Sequence, residues 1–208
     1  MKFLIFSDLH NFDADNLKKI DNLEYDAIVF LGDVDARDLS RISCMYQTKP
    51  IYGILGNHDT TDIIDKANTL ISIFFGFVFR NTKCHFIENF NLEKVDFNGI
   101  SFFGIEGCVK YKEKQVGFTQ EEANKFNIPK VDILFSHDTG YQYMGRTNKA
   151  HEGFRVIDKY LKEQKPKYHI FGHYHENKEF NMYDTKCFCV VGCNLFDTET
   201  GIMKNIFQ

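Results

Sequence analysis

Five short apolar segments of this chain each end at residues whose side chains bind divalent cations. The segments are rich in Ile, Val, Leu, Phe and Tyr, as strands buried on both faces are; they span residues 2–6, 27–31, 50–55, 131–135 and 167–171. In α/β sheets, ligands bind beyond the carboxyl ends of the strands. The pattern therefore predicts a layered α/β fold in which five strand ends converge on one crevice.

The residues after these segments offer carboxylate, amide and imidazole donors. They read Ser7-Asp8-Leu9-His10, Gly32-Asp33, Gly56-Asn57-His58-Asp59, Ser136-His137-Asp138 and Gly172-His173-Tyr174-His175. One such cluster after a strand is common turn chemistry, because Gly, Asn and Asp supply turns and many histidines are merely hydrogen-bonded. Five strand ends with compatible ligands are harder to obtain by accident, and together they predict a metal site.

In their order along the chain, these motifs resemble the signature of the calcineurin-like metallophosphoesterases: D-x-H, G-D, G-N-H-D or G-N-H-E, a lone His, and G-H-x-H. The match runs nearly from end to end. The resemblance implies a four-layer α/β/β/α sandwich of two mixed β-sheets flanked by helices, formed by a single domain over residues 1–208. The chain departs from the family at Ala36, where many members have a second acid, although Asp35 and Asp38 are close by.

The resemblance also implies two divalent metal ions. One ion would be held by Asp8, His10, Asp33 and His175, and the other by Asp33, Asn57, His137 and His173. The shared carboxylate would bridge the ions, and paired metals about 3.5–4 Å apart form a clamp for in-line displacement at phosphorus. Ligands of these types suit several transition metals alike. Mn²⁺ is the first expectation, with Fe, Zn, Ni and Co as alternatives.

The implied reaction is hydrolysis of a phosphate ester by a metal-bridging hydroxide. Metal-bound water can have a pKa of about 7, so no protein nucleophile is required. His58 adjoins Asn57 without being assigned to a metal, and it is the candidate general acid for the leaving oxygen. Asp59 is expected to hold the imidazole of His58 and to favour its charged form.

A phosphodiester is the expected substrate, either a small molecule or a nucleotide. The alternatives are a phosphomonoesterase or nuclease of the same family and a non-catalytic metal-binding scaffold. The second motif lacks the G-D-x-V-D-R-G form of serine/threonine protein phosphatases. A net charge of −4 does not favour a basic track for nucleic acid, although nucleic acid remains an alternative substrate.

Length and apolar patterning indicate a cytoplasmic protein that does not insert into a membrane. A chain of 208 residues is expected to form about one domain. The apolar part of the opening segment is too short for a secretory signal. The most apolar stretch, residues 70–79, has about half of the roughly 20 residues needed to cross a bilayer. A core helix or strand is favoured there, with a homo-oligomer interface as the alternative.

Six cysteines are expected to be free thiols: Cys44, Cys84, Cys108, Cys187, Cys189 and Cys193. The spacing of Cys187 and Cys189 places both sulfurs on one face of a strand. Packing of these thiols in an apolar core is favoured over a structural zinc site that would include Cys193.

The remaining segments are predicted to form the scaffold of the fold and the rim of the pocket. Asn98-Gly99 predicts a tight hairpin between residues 93–97 and 100–105, and Thr119 with Glu122 predicts a capping box. Apolar residues at helical spacing predict a helix near residues 154–161. Arg80 and residues 110–114 are interpreted as a solvated face rather than substrate contacts. The candidate phosphate contacts between the last two motifs are Arg146, Lys149 and His151.

Overall fold

The computed structural model describes residues 1–10, 12–46, 48–78, 85–143 and 149–208, without the side chains of residues 75–78. The strands of this part of the chain are β1 (Lys2–Ser7), β2 (Ala27–Phe30), β3 (Ile51–Gly53), β4 (Ile87–Asn89), β5 (Lys94–Phe97), β6 (Ile100–Ile105), β7 (Cys108–Val109), β8 (Gly117–Phe118), β9 (Ile133–Ser136), β10 (Tyr168–Phe171), β11 (Lys178–Met182), β12 (Thr185–Cys189), β13 (Gly192–Asp197) and β14 (Ile202–Phe207). The α-helices are α1 (Ala36–Met45), α2 (Ile63–Val78), α3 (Gln120–Ala123) and α4 (Arg155–Gln164), and 3₁₀ turns cover Ala14–Lys19 and Lys149–His151.

Two six-stranded sheets form the centre of the fold. Their strand orders are β14-β13-β1-β2-β3-β4 and β11-β12-β10-β9-β6-β5. In the first sheet β1 to β4 run parallel, and β13 and β14 add an antiparallel margin. In the second, β12, β10, β9 and β6 run parallel between antiparallel edge strands. Both sheets are therefore mixed, as predicted.

Three hydrophobic clusters separate four layers. The cluster between the sheets joins side chains such as Phe3 and Val29 of the first sheet to Phe102, Phe135 and Ile170 of the second. The ring of Phe3 meets those of Phe102 and Phe135 edge to face, each with a centroid distance of 5.7 Å. The outer face of the first sheet packs against α1 and α2, and the outer face of the second against α3 and α4. The predicted α/β/β/α sandwich is confirmed.

All five segments predicted as strands are strands, namely β1, β2, β3, β9 and β10. Each is buried along most of its length, which explains the nearly continuous apolar runs. The predicted hairpin is also present, with positive φ angles of 48° at Asn98 and 81° at Gly99. The capping box of Thr119 and Glu122 begins α3, and buried Ile157, Tyr160 and Leu161 lie on α4.

The most apolar stretch forms the second half of α2, and the expectation of a core element holds for only part of it. Ile71 is fully buried, whereas Leu70, Ile73 and Phe74 are 39%, 52% and 46% exposed. Phe79 lies outside the described residues. Within the described part of the chain, no helix is both long enough and apolar enough to span a membrane.

The cysteines of the described residues are free thiols, and Cys84 lies outside that part of the chain. Cys187 and Cys189 are buried together in the cluster under α4, as their spacing on one strand predicts. Cys193 is buried in the cluster on the outer face of the other sheet. The structure therefore places these three thiols in apolar cores and not in one shared metal site.

Candidate metal centre

Every predicted metal-binding motif follows a strand of the two parallel arrays. Asp8 and His10 follow β1, Asp33 follows β2, and Asn57 follows β3. From the facing sheet, His137 follows β9, and the G-H-x-H motif follows β10. The carboxyl ends of both sheets open on the same side, so residues far apart in sequence come together there. The predicted crevice is present.

Four of the predicted ligands have a strained backbone. The φ angles of Asp8, Asp33, His173 and His175 are 53°, 54°, 67° and 52°, in the left-handed region that L-residues seldom adopt. Such conformations cost of the order of 1–3 kcal/mol each and cluster at functional sites. The strain turns each chain sharply as it leaves its strand, which directs the side chain into the crevice.

Two glycines allow the motif loops to touch at backbone distance. A Cβ on Gly56 would lie 2.1 Å from Oδ1 of Asp33, and a Cβ on Gly172 would lie 2.0 Å from Oγ of Ser7 and 2.5 Å from Oδ2 of Asp8. All three distances are far below van der Waals contact. The glycines of these motifs are therefore needed for the close approach of loops that carry the acidic side chains.

The first group of donors consists of Asp33, Asn57 and His137. The Nδ1–H of His137 donates to the carbonyl oxygen of Leu31 at 2.7 Å, so Nε2 carries the lone pair of the neutral ring. That nitrogen lies 2.9 Å from Oδ1 of Asn57 and 3.6 Å from Oδ2 of Asp33. The hydroxyl of Tyr111 lies near the Asn57 side chain. The side-chain oxygens of Asn57 and Asp33 thus both lie close to the same ring nitrogen of His137.

The second group consists of Asp8, His10 and His175, whose ligand atoms all lie within 4.8 Å of one another. Nε2 of His175 is 3.7 Å from Oδ1 of Asp8, and the imidazoles of His10 and His175 stack with centroids 4.9 Å apart. Asp8 is buried, whereas both imidazoles are exposed. Asp8 also joins Asp33 and His137 in a second set within the same distance limit, so the two groups are adjacent.

In each of the two aspartates, one carboxylate oxygen accepts hydrogen bonds and the other faces the crevice without a donor. Oδ2 of Asp8 accepts from Ser7 Oγ at 2.5 Å and from the backbone N–H of His173 at 2.9 Å. Oδ1 of Asp33 accepts from the backbone N–H of His58 at 2.9 Å. The remaining oxygens, Oδ1 of Asp8 and Oδ2 of Asp33, are buried and meet no hydrogen-bond donor among the described residues.

This arrangement fits divalent cations. A buried carboxylate oxygen without a donor is costly, and converging lone pairs repel one another unless a proton or a cation lies between them. Burial opposes protonation of His137, but the Asp33 and Asp8 carboxylates outweigh it and raise its pKa. A positive charge is therefore favoured at this point, and carboxylate, amide and imidazole donors are those that transition metals bind.

His173 lies at the edge of the first group. Its ring centroid is 5.1 Å from that of His137, and Nε2–H donates to the carbonyl oxygen of Ala150 at 2.7 Å. Burial, reinforced by His137, lowers the pKa of His173 to about 2, so the ring is neutral and its Nδ1 carries a lone pair. The ring nitrogen of His173 also falls within 4.8 Å of ligand atoms of Cys108 and Asp138.

His58 and Asp59 occupy different positions from those expected of a catalytic pair. His58 is exposed, with its ring centroid 6.4 Å from that of His10. Among the described contacts, the Asp59 carboxylate accepts no hydrogen bond from that imidazole. Instead, its Oδ2 accepts from the backbone N–H groups of Gly56 at 2.7 Å and Asp33 at 3.0 Å. Burial raises the pKa of Asp59 to about 7.

Among the described contacts, the Asp59 carboxylate therefore holds two backbone N–H groups, and none joins it to the imidazole of His58. The turn after β3 directs the carboxylate inward, toward N–H groups that have no other hydrogen-bond partner among the described residues. Asp59 ties the second motif loop to the third, and thereby fixes Asp33 and Asn57 relative to each other.

Of the three residues predicted to contact phosphate, His151 lies at the crevice. The ring of His151 is 4.8 Å from that of His173, whereas Lys149 is exposed and Arg80 and Arg146 lie outside the described residues. Residues 110 and 112–114 are exposed, as predicted for a solvated face. Tyr111 in the same run differs, because its hydroxyl reaches Asn57.

Three residues beside the crevice were not assigned to the site from the sequence. Cys108 begins β7 and Tyr111 follows that strand; both come after β6, a strand without a recognisable ligand motif at its end. Asp138 directly follows His137, and its position after a predicted strand was the one signal that pointed to it. The backbone N–H of Gly107 donates to the carbonyl oxygen of Leu55 at 2.8 Å, directly before the third motif. No local sequence pattern predicts that residues 107–118 lie against this motif.

The fold and the donor set are those of a metal-dependent phosphoester hydrolase. The sequence model of the calcineurin-like phosphoesterases matches residues 1–177, and the chain belongs to this family. The match includes all five motifs, and it confirms the resemblance seen in the sequence. Among curated proteins, none matches the chain.

Solved structures with the same fold cover nearly the whole chain. The TT1561 protein of Thermus thermophilus is similar with a TM-score of 0.68 and 14% identity, over 99% of each chain. An archaeal phosphodiesterase is similar with a TM-score of 0.57 and 15% identity, over 98% of each chain. The phosphopantetheinyl hydrolase PptH of Mycobacterium tuberculosis has a TM-score of 0.59 and 8% identity, over 92% of this chain and 89% of its own.

Proposed function

We propose that the chain is a dinuclear metal-dependent phosphodiesterase, formed by one domain over residues 1–208. Asp8, His10, Asp33 and His175 would hold one ion, and Asp33, Asn57, His137 and His173 would hold the other. The observation that supports this most strongly is that Asn57 Oδ1 and Asp33 Oδ2 both lie close to Nε2 of His137, while Asp33 Oδ2 is buried and meets no hydrogen-bond donor among the described residues.

The division of ligands follows from the atoms that remain available. Oδ1 of Asp33 accepts a hydrogen bond from the backbone N–H of His58, so Oδ2 is the oxygen of this carboxylate that would bind metal. Likewise, Oδ2 of Asp8 accepts hydrogen bonds from Ser7 and His173, whereas Oδ1 faces the imidazole of His175. Each carboxylate is thus fixed by hydrogen bonds from a neighbouring motif, which limits the freedom lost on metal binding.

Charge supports a diester substrate. Of the seven proposed ligands only Asp8 and Asp33 are charged, because the others are an amide and four imidazoles. Divalent ions bound there would supply Lewis acidity and would lower the pKa of bound water. The centre retains a small positive excess, which suits the single negative charge of a phosphodiester. The similarity in fold to an archaeal phosphodiesterase agrees with this choice.

The proposed general acid is His58. Its backbone N–H is bound to Oδ1 of Asp33, so the exposed imidazole is anchored at the edge of the metal centre beside His10. From there the ring can reach solvent and the leaving oxygen of a substrate, to which it donates a proton. Asp59 acts as a positioning residue that holds the second and third motif loops together.

Mn²⁺ is the proposed activating ion, with Fe, Zn, Ni and Co as alternatives, since donors of these types do not select one metal strongly. The test is hydrolysis of bis-p-nitrophenyl phosphate against p-nitrophenyl phosphate by the protein loaded with Mn²⁺. Turnover of the diester in preference to the monoester supports the proposal. Preference for the monoester would contradict it, whereas cleavage of single-stranded or circular DNA in preference to both would identify the enzyme as a nuclease.

A further inference from the structure

A third cluster of ligand-type atoms lies beside the proposed metal pair. The thiol of Cys108, the carboxylate of Asp138 and a ring nitrogen of His173 all lie within 4.8 Å of one another, and all three side chains are buried. Cys108 begins β7, which follows β6, whereas Asp138 follows β9 and His173 follows β10. The segments that follow three neighbouring parallel strands of the second sheet therefore each contribute one member.

The Asp138 carboxylate is only half satisfied. Oδ1 accepts from the backbone N–H of Thr139 at 2.7 Å, whereas Oδ2 has no hydrogen-bond donor among the described residues, although the side chain is completely buried. The Tyr174 hydroxyl interacts with this carboxylate, and it also donates a hydrogen bond, 3.5 Å long, to the carbonyl oxygen of His151. A buried carboxylate oxygen in this state is stabilised by a cation.

Burial raises the pKa of the Cys108 thiol, and the Asp138 and Asp33 carboxylates add to this effect, so the thiol is neutral when no cation lies beside it. Nε2 of Gln115 donates a hydrogen bond to Sγ of Cys108 at 2.6 Å. The thiolate is the form that binds metals, and a bound cation deprotonates a coordinating thiol. Sulfur, nitrogen and carboxylate oxygen together form a donor set that ions of the Zn²⁺ class prefer, whereas Mn²⁺ prefers oxygen ligands.

His173 has one lone pair to offer. Because its Nε2–H donates to the carbonyl oxygen of Ala150, only Nδ1 can bind a metal. An ion held by Cys108 and Asp138 and an ion held by Asp33, Asn57 and His137 would both need that nitrogen. Only one of the two ions can have it at a time.

We propose that Cys108, Asp138 and His173 form a binding site for a thiophilic divalent cation of the Zn²⁺ class, and that this cation competes with one ion of the metal pair for His173. The first part stands on the cluster alone, whereas the competition rests on the proposed function. An excess of such a cation then inhibits the Mn²⁺-loaded enzyme by removing a ligand from the pair.

The test uses Cd²⁺ as a spectroscopic probe, because a cadmium–thiolate bond absorbs in the ultraviolet and Mn²⁺ does not interfere. Cd²⁺ is titrated into the Mn²⁺-loaded protein, into Cys108→Ser, and into Cys44→Ser as a matched control in which a partly exposed thiol of α1 is lost. We expect a saturable thiolate band in the wild type and in Cys44→Ser, and its loss in Cys108→Ser. No band in the wild type, or the same band in Cys108→Ser, overturns the proposal.

A second variant covers the case in which Cys108→Ser does not fold. Asp138→Asn keeps the thiol and the size of the side chain but removes the charge. We expect its thiolate band to require at least about 10-fold more Cd²⁺, which corresponds to about 1.4 kcal/mol. If the midpoint of the Cd²⁺ titration is unchanged in Asp138→Asn, the role of Asp138 is overturned, and the proposed site with it.

Competition is measured separately on the same samples. Bound Mn²⁺ is determined by elemental analysis after Cd²⁺ titration and desalting. We expect Mn²⁺ to fall at the Cd²⁺ concentration at which the band appears, in the wild type but not in Cys108→Ser. A band without loss of Mn²⁺ overturns the competition. Failure of the phosphodiesterase proposal would appear in the hydrolysis assay and would leave the thiolate band unchanged, so the two failures are distinguishable.

Discussion

Oδ2 of Asp33 lies 3.6 Å from Nε2 of His137, with both side chains buried and with no hydrogen-bond donor among the described residues facing that oxygen. The two residues follow strands of different sheets and are held by different partners. The carbonyl oxygen of Leu31 fixes the imidazole, and the N–H of His58 fixes the carboxylate. Each sheet therefore contributes one preorganised half of the candidate metal centre.

Replacement of Asp33 by Asn tests the bridging carboxylate. The amide keeps a hydrogen-bond acceptor for His58 but removes the charge that two ions share, so we expect the variant to lose most of its bound metal and its activity. Metal content is measured by elemental analysis after desalting. Asp35→Asn is the matched control, because Asp35 caps α1 and Asn caps a helix about as well as Asp. Full metal occupancy in Asp33→Asn would contradict the bridging role.

Replacement of His58 by Asn tests the general acid. We expect bound metal to stay unchanged and kcat to fall by about 10² to 10⁴ on esters with poor leaving groups, the usual range for general acid catalysis. Esters with good leaving groups should be affected less, because they need little protonation. His85→Asn is the control, since this exposed histidine precedes β4 at the opposite end of the sheet. An equal loss for all leaving groups would exclude His58 as the proton donor.

Replacement of Gly172 by Ala tests the contact between the first and last motifs. The added Cβ would meet Ser7 Oγ and Asp8 Oδ2, so we expect a loss of about 1–3 kcal/mol in the free energy of unfolding together with weaker metal binding. Gly99→Ala provides the comparison. Its positive φ makes alanine unfavourable, but no atom lies within 4 Å, so metal binding should stay normal. Urea unfolding and metal titration measure the two effects. Normal metal binding in Gly172→Ala would contradict the expected coupling.

Buried His169 predicts that acid destabilises the fold. Burial lowers its pKa to about 3 from the ordinary 6.5, and its Nε2 pairs with Ser136 Oγ at 2.8 Å. Between these values the unfolded chain binds a proton that the folded chain does not, so the free energy of unfolding rises with pH in this window. From pH 6.5 down to about 5 the loss should be about 2 kcal/mol.

The measurement for His169 is urea unfolding of the metal-free protein over this pH range, compared with His169→Gln. The glutamine amide replaces the Nε2 contact and does not titrate. We expect the variant to show a smaller slope of stability against pH than the wild type. Equal slopes would mean that His169 does not contribute to the acid sensitivity.

The sequence predicted the strands and the donor types because both depend on local pattern. Short apolar runs specify strands buried on two faces, and the polar residues after β1, β2, β3, β9 and β10 fall where an α/β sheet binds ligands. The hairpin at Asn98 and Gly99 was equally clear, because that turn requires two positive φ angles.

Other features depend on contacts that a local pattern does not encode. Asp59 adjoins His58 in sequence, but its carboxylate turns inward to the N–H groups of Gly56 and Asp33. Tyr111 lies in a charged run typical of a solvated face, and it reaches Asn57 only because the loop after β6 folds over the third motif. The positive φ of Asp8 is also invisible in the sequence, because nothing but tertiary structure imposes it on an aspartate.

The most direct test of the dinuclear centre is a crystal structure of the Mn²⁺-loaded protein with anomalous diffraction data. We expect two anomalous peaks about 3.5–4 Å apart, both within bonding distance of Oδ2 of Asp33. One peak should contact Asp8, His10 and His175, and the other Asn57, His137 and His173. A single peak, or two peaks of which neither contacts Asp33, would contradict the proposed centre.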